Sequence, residues 1–245
     1  MERIEELGDG LKIIQDKNLY TFTSDSVILA NFVTLKKKEK AVEIGTGSGV
    51  ISILVAGREA CECASCACPQ SQAPSGGAVN HTPKLHDCYK SIIAFEVQKK
   101  LADMAKRSLE LNGISNIKIV NDKIQNFKKY VSEDSFDVVF SNPPYKKKGT
   151  SFINENESKA IARHEIELDL ENLVKCASSL LKTKGRFYVM YDANRVAEII
   201  FKLKQNRLEP KEMFFTYANG KEEAVLVVIK AVKDAAEGCI VRRQK

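Results

Sequence analysis

Short apolar runs alternate along the chain with longer stretches in which apolar positions recur every third or fourth residue. The runs at 40–44, 91–97, 117–120, 136–141 and 186–191 read as strands. The periodic stretches at 50–58, 98–112 and 194–205 read as helices, the second ending at Gly113. Leu170, Leu173, Val174, Ala177, Leu180 and Leu181 share one helical face, and Asp169 is placed to cap that helix. Near the start, Thr23 or Ser24 can cap a helix over 25–35, with Val27, Ile28, Ala30 and Phe32 as its apolar surface. Two last strands, around 212–217 and 224–231, flank the turn-like Asn219-Gly220 and are set to pair as a hairpin. Strands that alternate with helices predict a mostly parallel sheet covered on both faces, here of seven strands with an antiparallel C-terminal hairpin strand.

At 245 residues the chain has the length of one α/β domain with a single core, and 44% hydrophobic content is ordinary for a globular protein. Residues 1–10 are acidic with no apolar run, so no secretory signal is visible, and no stretch has the length a membrane helix needs. A cytoplasmic protein without membrane contact is expected, with a monomer as the working assumption. The net charge of +6 favours a polyanionic partner. Lys36-Lys37-Lys38 is expected to end a helix, where cations suit the macrodipole. Lys146-Lys147-Lys148 stands either in a solvated loop or on a phosphate-contacting rim.

The candidate chemistry clusters at the predicted carboxyl ends of the strands, where open α/β sheets bind ligands. After the first predicted strand comes Glu43-Ile44-Gly45-Thr46-Gly47-Ser48-Gly49. Gly45, Gly47 and Gly49 allow a tight turn and close approach of a ligand, with Thr46 between them, and Glu43 is placed to meet a cationic amino group. Glu96 ends the second strand and can accept from both hydroxyls of a ribose; Asp122 follows the third and can accept from an adenine amino group. Any one of these acids alone would read as a solvated or capping carboxylate. A nicotinamide dehydrogenase would also use the glycine turn and Glu96, but not the next feature.

That feature is Asn142-Pro143-Pro144-Tyr145, directly after the fourth strand. An exocyclic amine or an amide nitrogen has its lone pair delocalised into a π-system and is a poor nucleophile. Two acceptors aimed at its N–H groups favour a tetrahedral nitrogen. The Asn142 side-chain oxygen and the Pro143 carbonyl are those acceptors, Pro144 stiffens the turn, and Tyr145 offers a face for stacking. This is catalysis by positioning and electrostatics. Glycine turn and tetrapeptide together point to methyl transfer from S-adenosyl-L-methionine to a planar nitrogen, leaving S-adenosylhomocysteine. Asn142 counts in both the catalytic and the cofactor set.

The chain resembles bacterial tRNA(Val) adenine-N6-methyltransferases, which have the Rossmann-like class I methyltransferase fold. The resemblance rests on Leu11-Lys12-Ile13-Ile14-Gln15-Asp16, Phe22-Thr23-Ser24-Asp25, Leu29-Ala30-Asn31-Phe32, the glycine turn, Glu96, Leu109-Glu110-Leu111-Asn112, Asn142 to Tyr145, Ala162-Arg163-His164-Glu165 and Gly220-Lys221-Glu222-Glu223-Ala224. It implies a tRNA substrate, methylated on adenine N6 beside the anticodon, and an N-terminal segment, 1–39, lying over the cofactor. Alternatives are a protein-glutamine methyltransferase, a ribosomal RNA guanine-N2 methyltransferase, and a non-catalytic RNA-binding module on the same fold. His164, between Arg163 and Glu165, reads as a structural residue and not as a base.

Residues 60–90 depart from the family pattern. They hold Cys61, Cys63, Cys66, Cys68 and Cys88, five of the seven cysteines, with His81 and His86. A reducing compartment argues against disulfides. Cys63 and Cys66 have C-x2-C spacing suited to structural zinc, but a second such pair is missing, and a flexible insert is the favoured reading.

Overall fold

The computed structural model describes residues 1–19, 21–64, 91–144, 169–218 and 222–243. Tyr145, the 146–148 lysines, the 162–165 run, Gly220 and Lys221, and Cys66, Cys68, His81, His86 and Cys88 lie outside them. In chain order the strands are β1 (Glu2–Gly8), β2 (Leu11–Asp16), β3 (Lys40–Ile44), β4 (Ser91–Phe95), β5 (Ile117–Val120), β6 (Phe136–Ser141), β7 (Leu181–Asp192), β8 (Leu208–Tyr217), β9 (Ala224–Lys233) and β10 (Ile240–Arg243). The helices are α1 (Ser24–Phe32), α2 (Val50–Ala64), α3 (Lys99–Leu111), α4 (Leu170–Leu180) and α5 (Val196–Gln205). Among the described residues no helix is long and apolar enough to cross a membrane.

The main sheet has the order β10-β8-β9-β7-β6-β3-β4-β5. Strands β5, β4, β3, β6 and β7 run parallel, β9 inserts antiparallel between β7 and β8, and β10 pairs parallel with β8. The expected hairpin is therefore present, and one short edge strand, β10, is added to the expected seven. The central strands bury nearly every residue: Val138, Val139 and Phe140 of β6, and Phe187 and Val189 of β7, are fully buried. Such two-sided burial is what a parallel sheet with helices on both faces demands. Two apolar clusters form, one on each side: Ile13, Leu29, Ile53, Ile92, Ala105 and Tyr188 belong to one, and Val42, Phe95, Leu173, Phe187, Ile199 and Val227 to the other.

Helix ends follow local chemistry where the sequence carries it. Asp169 accepts from the Asn172 N–H at 2.7 Å, as its position predicts. Gly113 takes φ 64 beyond α3. Helix α1 is shorter than its pattern predicts and ends at Phe32, because Val33 is extended and the Arg58 guanidinium satisfies the Ala30 and Val33 carbonyls. Lys36-Lys37-Lys38 thus lies past the helix and does not complement its dipole. At the other end, the Thr23 hydroxyl bonds Asp25 and makes no side-chain cap. Helix α2 runs on to Ala64, past the expected end at 58, so Cys61 and Cys63 belong to its last turns.

The N-terminal residues form an antiparallel hairpin, β1-β2, that the apolar pattern does not announce. It docks on α3 and α2. Lys12 N–H donates to Asn112 Oδ1 at 2.8 Å, Ile14 N–H to Ser108 Oγ at 3.0 Å, and Arg107 holds the Glu2 carboxylate through both terminal nitrogens. Leu11 packs against Gly57 so closely that a Cβ there would stand 2.4 Å from it.

Candidate active site at the carboxyl edge of the sheet

Register alone brings the candidate residues together. Ile44 is level with Phe95 on one side and Ser141 on the other, and Phe95 is level with Val120. The next residues of all four strands, Gly45, Glu96, Asn121 and Asn142, therefore leave the sheet along one edge. The glycine turn is anchored there: Gly45 and Thr46 both donate backbone N–H to the Phe95 carbonyl, at 2.9 and 3.0 Å. The Ser141 hydroxyl donates to the Ile44 carbonyl at 2.8 Å, which ties the exit of β6 to that of β3.

The three glycines do different jobs. All have positive φ: 74° at Gly45, 58° at Gly47 and 94° at Gly49. A Cβ on Gly45 or Gly47 would meet nothing within 4 Å among the described residues, so these two face open space there. A Cβ on Gly49 would meet Ala105 of α3 at 3.4 Å, so the third glycine serves helix packing.

Glu43 is completely buried. One carboxylate oxygen, Oε2, accepts from the hydroxyls of Thr46, at 2.7 Å, and Ser52. The other, Oε1, is buried with no partner among the described residues. Burial drives its pKa up to about 7, against the opposing hydroxyl bonds and with a smaller contribution from Glu96. Glu96 is also buried; its two oxygens accept from Gly47 N–H and Gln98 N–H, both at 2.9 Å, which locks the turn onto β4. Desolvation raises its pKa as well. Asp122 sits at the end of β5 as expected, but its own segment engages it. Oδ1 accepts from Lys123 N–H and Asn126 Nδ2, and Oδ2 from the Tyr130 hydroxyl at 2.9 Å. The Asn126 and Tyr130 bonds hold its carboxyl down at about 2.

Asn142, Pro143 and Pro144 follow β6 at the same edge, with Pro143 buried. Asn142 Nδ2 donates to Ser26 Oγ, 3.2 Å away on α1. Two N-terminal residues thus reach the site: Ser26, and Gln15 of β2, whose amide nitrogen bonds Ser48 Oγ in the glycine turn while its oxygen accepts from Phe22 N–H at 3.2 Å. Neither stands out in the sequence as a site residue, because a buried polar residue is recognised only through its distant partner. Among the described residues no group of three or more His, Cys, Asp or Glu could hold a metal ion.

A solved structure described as a predicted O-methyltransferase from Agrobacterium tumefaciens superposes with a TM-score of 0.62, at 19% identity, over 89% of this chain and 85% of that one. The fold is that of class I methyltransferases. A structure of M. jannaschii TYW2 in complex with AdoMet superposes with a TM-score of 0.57, at 12% identity, over 94% of this chain and 85% of that one. In sequence the chain is similar to proteins named tRNA1(Val) (adenine(37)-N6)-methyltransferase. The one from Bacteroides thetaiotaomicron is 27% identical over 180 residues, 71% of this chain and 61% of the relative. The one from Dyadobacter fermentans is 24% identical over 188 residues, 75% and 65% respectively. The chain thus spans less than two thirds of the length of these two relatives. No family model matches it.

The donor set fits S-adenosylmethionine. Open space over Gly45 and Gly47, a buried unpaired carboxylate oxygen on Glu43 and a carboxylate at the end of β4 meet the needs of a ligand with a cationic amino group and ribose hydroxyls.

Proposed function

We propose that this chain transfers a methyl group from S-adenosylmethionine to the exocyclic N6 of an adenine in tRNA, next to the anticodon of a valine tRNA. The observation that carries the reading is the arrival of Asn142-Pro143 at the sheet edge level with the Gly45–Gly49 turn and Glu96. The names of the sequence relatives support the choice of nitrogen and of nucleic acid. A cytoplasmic location accords with such a substrate.

When bound, S-adenosylmethionine supplies an electrophilic methyl carbon on a sulfonium sulfur. Gly45 and Gly47 give it room, Glu43 accepts from its amino group directly or through water, and Glu96 accepts from its ribose. Asp122 accepts from the adenine amino group in place of its ion pair with Lys129, whose Nζ lies 3.6 Å from Oδ2. The target base must be unstacked to enter, at about a few kcal/mol, and a loop base has less to lose than a paired one. The Asn142 oxygen and the Pro143 carbonyl accept from the amine N–H groups and turn its lone pair toward the methyl carbon. Pro144 fixes the turn, and Tyr145 stacks on the base. After transfer the surplus amine proton passes to solvent, so the step needs no strong base.

The test is methyl transfer from labelled S-adenosylmethionine to tRNA from cells lacking this modification, followed by nucleoside analysis. Labelled N6-methyladenosine is the expected product. Label absent from tRNA, with cofactor binding intact, would overturn the choice of substrate and direct the search to ribosomal RNA or a protein glutamine.

A further inference from the structure

We infer that cofactor binding at this site exchanges a proton for an ammonium: Glu43 holds a proton in the free chain and gives it up to solvent when the cationic amino group of the ligand arrives. The inference rests on the cofactor reading of the site.

The free site is short of positive charge. Glu43 lies one residue before the end of β3, and Glu96 one residue beyond the end of the neighbouring β4. Both are buried, and among the described residues neither carboxyl forms an ion pair. The groups packed around Glu43 bring no cation. Its register neighbours are Ala94 on β4 and Phe140 on β6, the glycine turn contributes the Thr46 hydroxyl, and α2 the Ser52 hydroxyl. The charged neighbour is Glu96, which repels a second negative charge. A buried charge without a partner is costly enough that the group neutralises instead. Two such acids side by side therefore favour a proton on one of them.

The hydrogen bonds select Glu43 as its holder. Each Glu96 oxygen accepts from a backbone N–H, of Gly47 or Gln98, both at 2.9 Å. Backbone N–H groups are fixed donors, so they oppose the effect of burial and favour the ionised form. Glu43 is served by two hydroxyls, which turn to donate to a carboxylate or to accept from a carboxylic acid. Its Oε1 has no partner among the described residues. The pKa of about 7 accords with a carboxyl left protonated in slightly acidic solution. An arriving ammonium supplies the missing countercharge. Glu43 then ionises, its proton passes to solvent, and the ligand keeps its own.

The experiment titrates S-adenosylhomocysteine into the full chain by calorimetry at pH 6.5, in two buffers of contrasting ionisation enthalpy, which counts the protons released. About three quarters of a proton should leave per ligand bound, the protonated fraction of a group with a pKa of about 7. Affinity should rise roughly tenfold or more from pH 5.5 to pH 7, a window in which an α-amino group stays protonated. In Glu43→Gln the release should fall to less than about half that of the parent. If Glu43→Gln binds too weakly to titrate, the ligand analogue with hydrogen in place of the amino group makes the same comparison on the parent chain. Binding without proton release overturns the inference, and so does an undiminished release in Glu43→Gln or with the deaminated analogue. Failure of S-adenosylhomocysteine to bind at any pH would overturn the cofactor reading instead, and the inference with it.

Discussion

The amide nitrogen of Gln15, on the second strand of the N-terminal hairpin, donates to the hydroxyl of Ser48 inside the glycine turn. Gln15 is fully buried, and its oxygen takes the Phe22 N–H. One side chain therefore fixes the entry to α1 and the loop proposed to hold the cofactor. Gln15→Met keeps the volume and removes these bonds. Affinity for S-adenosylhomocysteine should fall roughly fivefold or more, since buried hydrogen-bonding groups left unpaired cost about 1–3 kcal/mol. Calorimetric titration checks this, and an affinity within twofold of the parent would separate the hairpin from cofactor binding.

Glu43 makes stability depend on pH in an unusual direction. Its folded pKa of about 7 stands above the ordinary 4.5, so the folded chain prefers the protonated form. The preference favours folding below the ordinary value and is lost as pH rises toward 7, amounting to about 3 kcal/mol when complete. Glu43→Gln should thus gain melting temperature relative to the parent on going from pH 5 to pH 8, by several degrees. Thermal melts at both pH values read the difference. A gap that does not change with pH would mean the carboxyl is solvated or already ionised in the folded chain.

Two glycines of the turn should separate stability from binding. Both substitutions place a side chain at positive φ, a strain of about 1–2 kcal/mol. Gly49→Ala sets its methyl directly against Ala105 and Ile53, at 3.4–3.6 Å, with no room to relieve the strain, so it should show the larger drop in melting temperature. Gly47→Ala puts its methyl into open space and should melt closer to the parent while binding S-adenosylmethionine poorly. Melting curves with binding isotherms give both readouts, and tight binding by Gly47→Ala would remove that glycine from the cofactor set.

Lys233 is a purely structural counterpart. Its ammonium is buried and donates to the Ser178 and Leu181 carbonyls, both at 2.8 Å, while bonding the exposed Asp134 carboxylate at 2.6 Å. Lys233→Met leaves the two carbonyls at the end of α4 without that donor. A loss of about 1–3 kcal/mol in denaturant unfolding, with the cofactor affinity kept, is the expected outcome.

The parallel core was legible because strands buried on both faces are continuous apolar runs, and the acids at Glu43, Glu96 and Asp122 stand directly at their ends. The N-terminal hairpin was not. Most of Glu2–Gly8 is exposed, with charged residues at positions 2, 3, 5 and 6, so it lacks the dry face that produces alternation. In β2 the inward positions are Ile13 and Gln15, and the second reads as polar until Ser48 and Phe22 are known to meet it. Strand β10 is four exposed residues, too short and too wet to carry a pattern. The early end of α1 depends on Arg58, some 25 residues away from Val33. What escaped the sequence is in each case a long-range polar contact or a solvated edge.

The position of β9 sets a timetable for the nascent chain. Strand β7 lies between β6 and β9, so one whole row of its backbone donors and acceptors waits for residues 224–233, which are made only after β8. Until then an apolar strand that includes Phe187, Tyr188, Val189 and Met190 presents an open edge to the cell. A ribosome stalled between β7 and β9 would release a chain whose cofactor-side strands are complete and whose sheet is nevertheless ready to recruit a stranger.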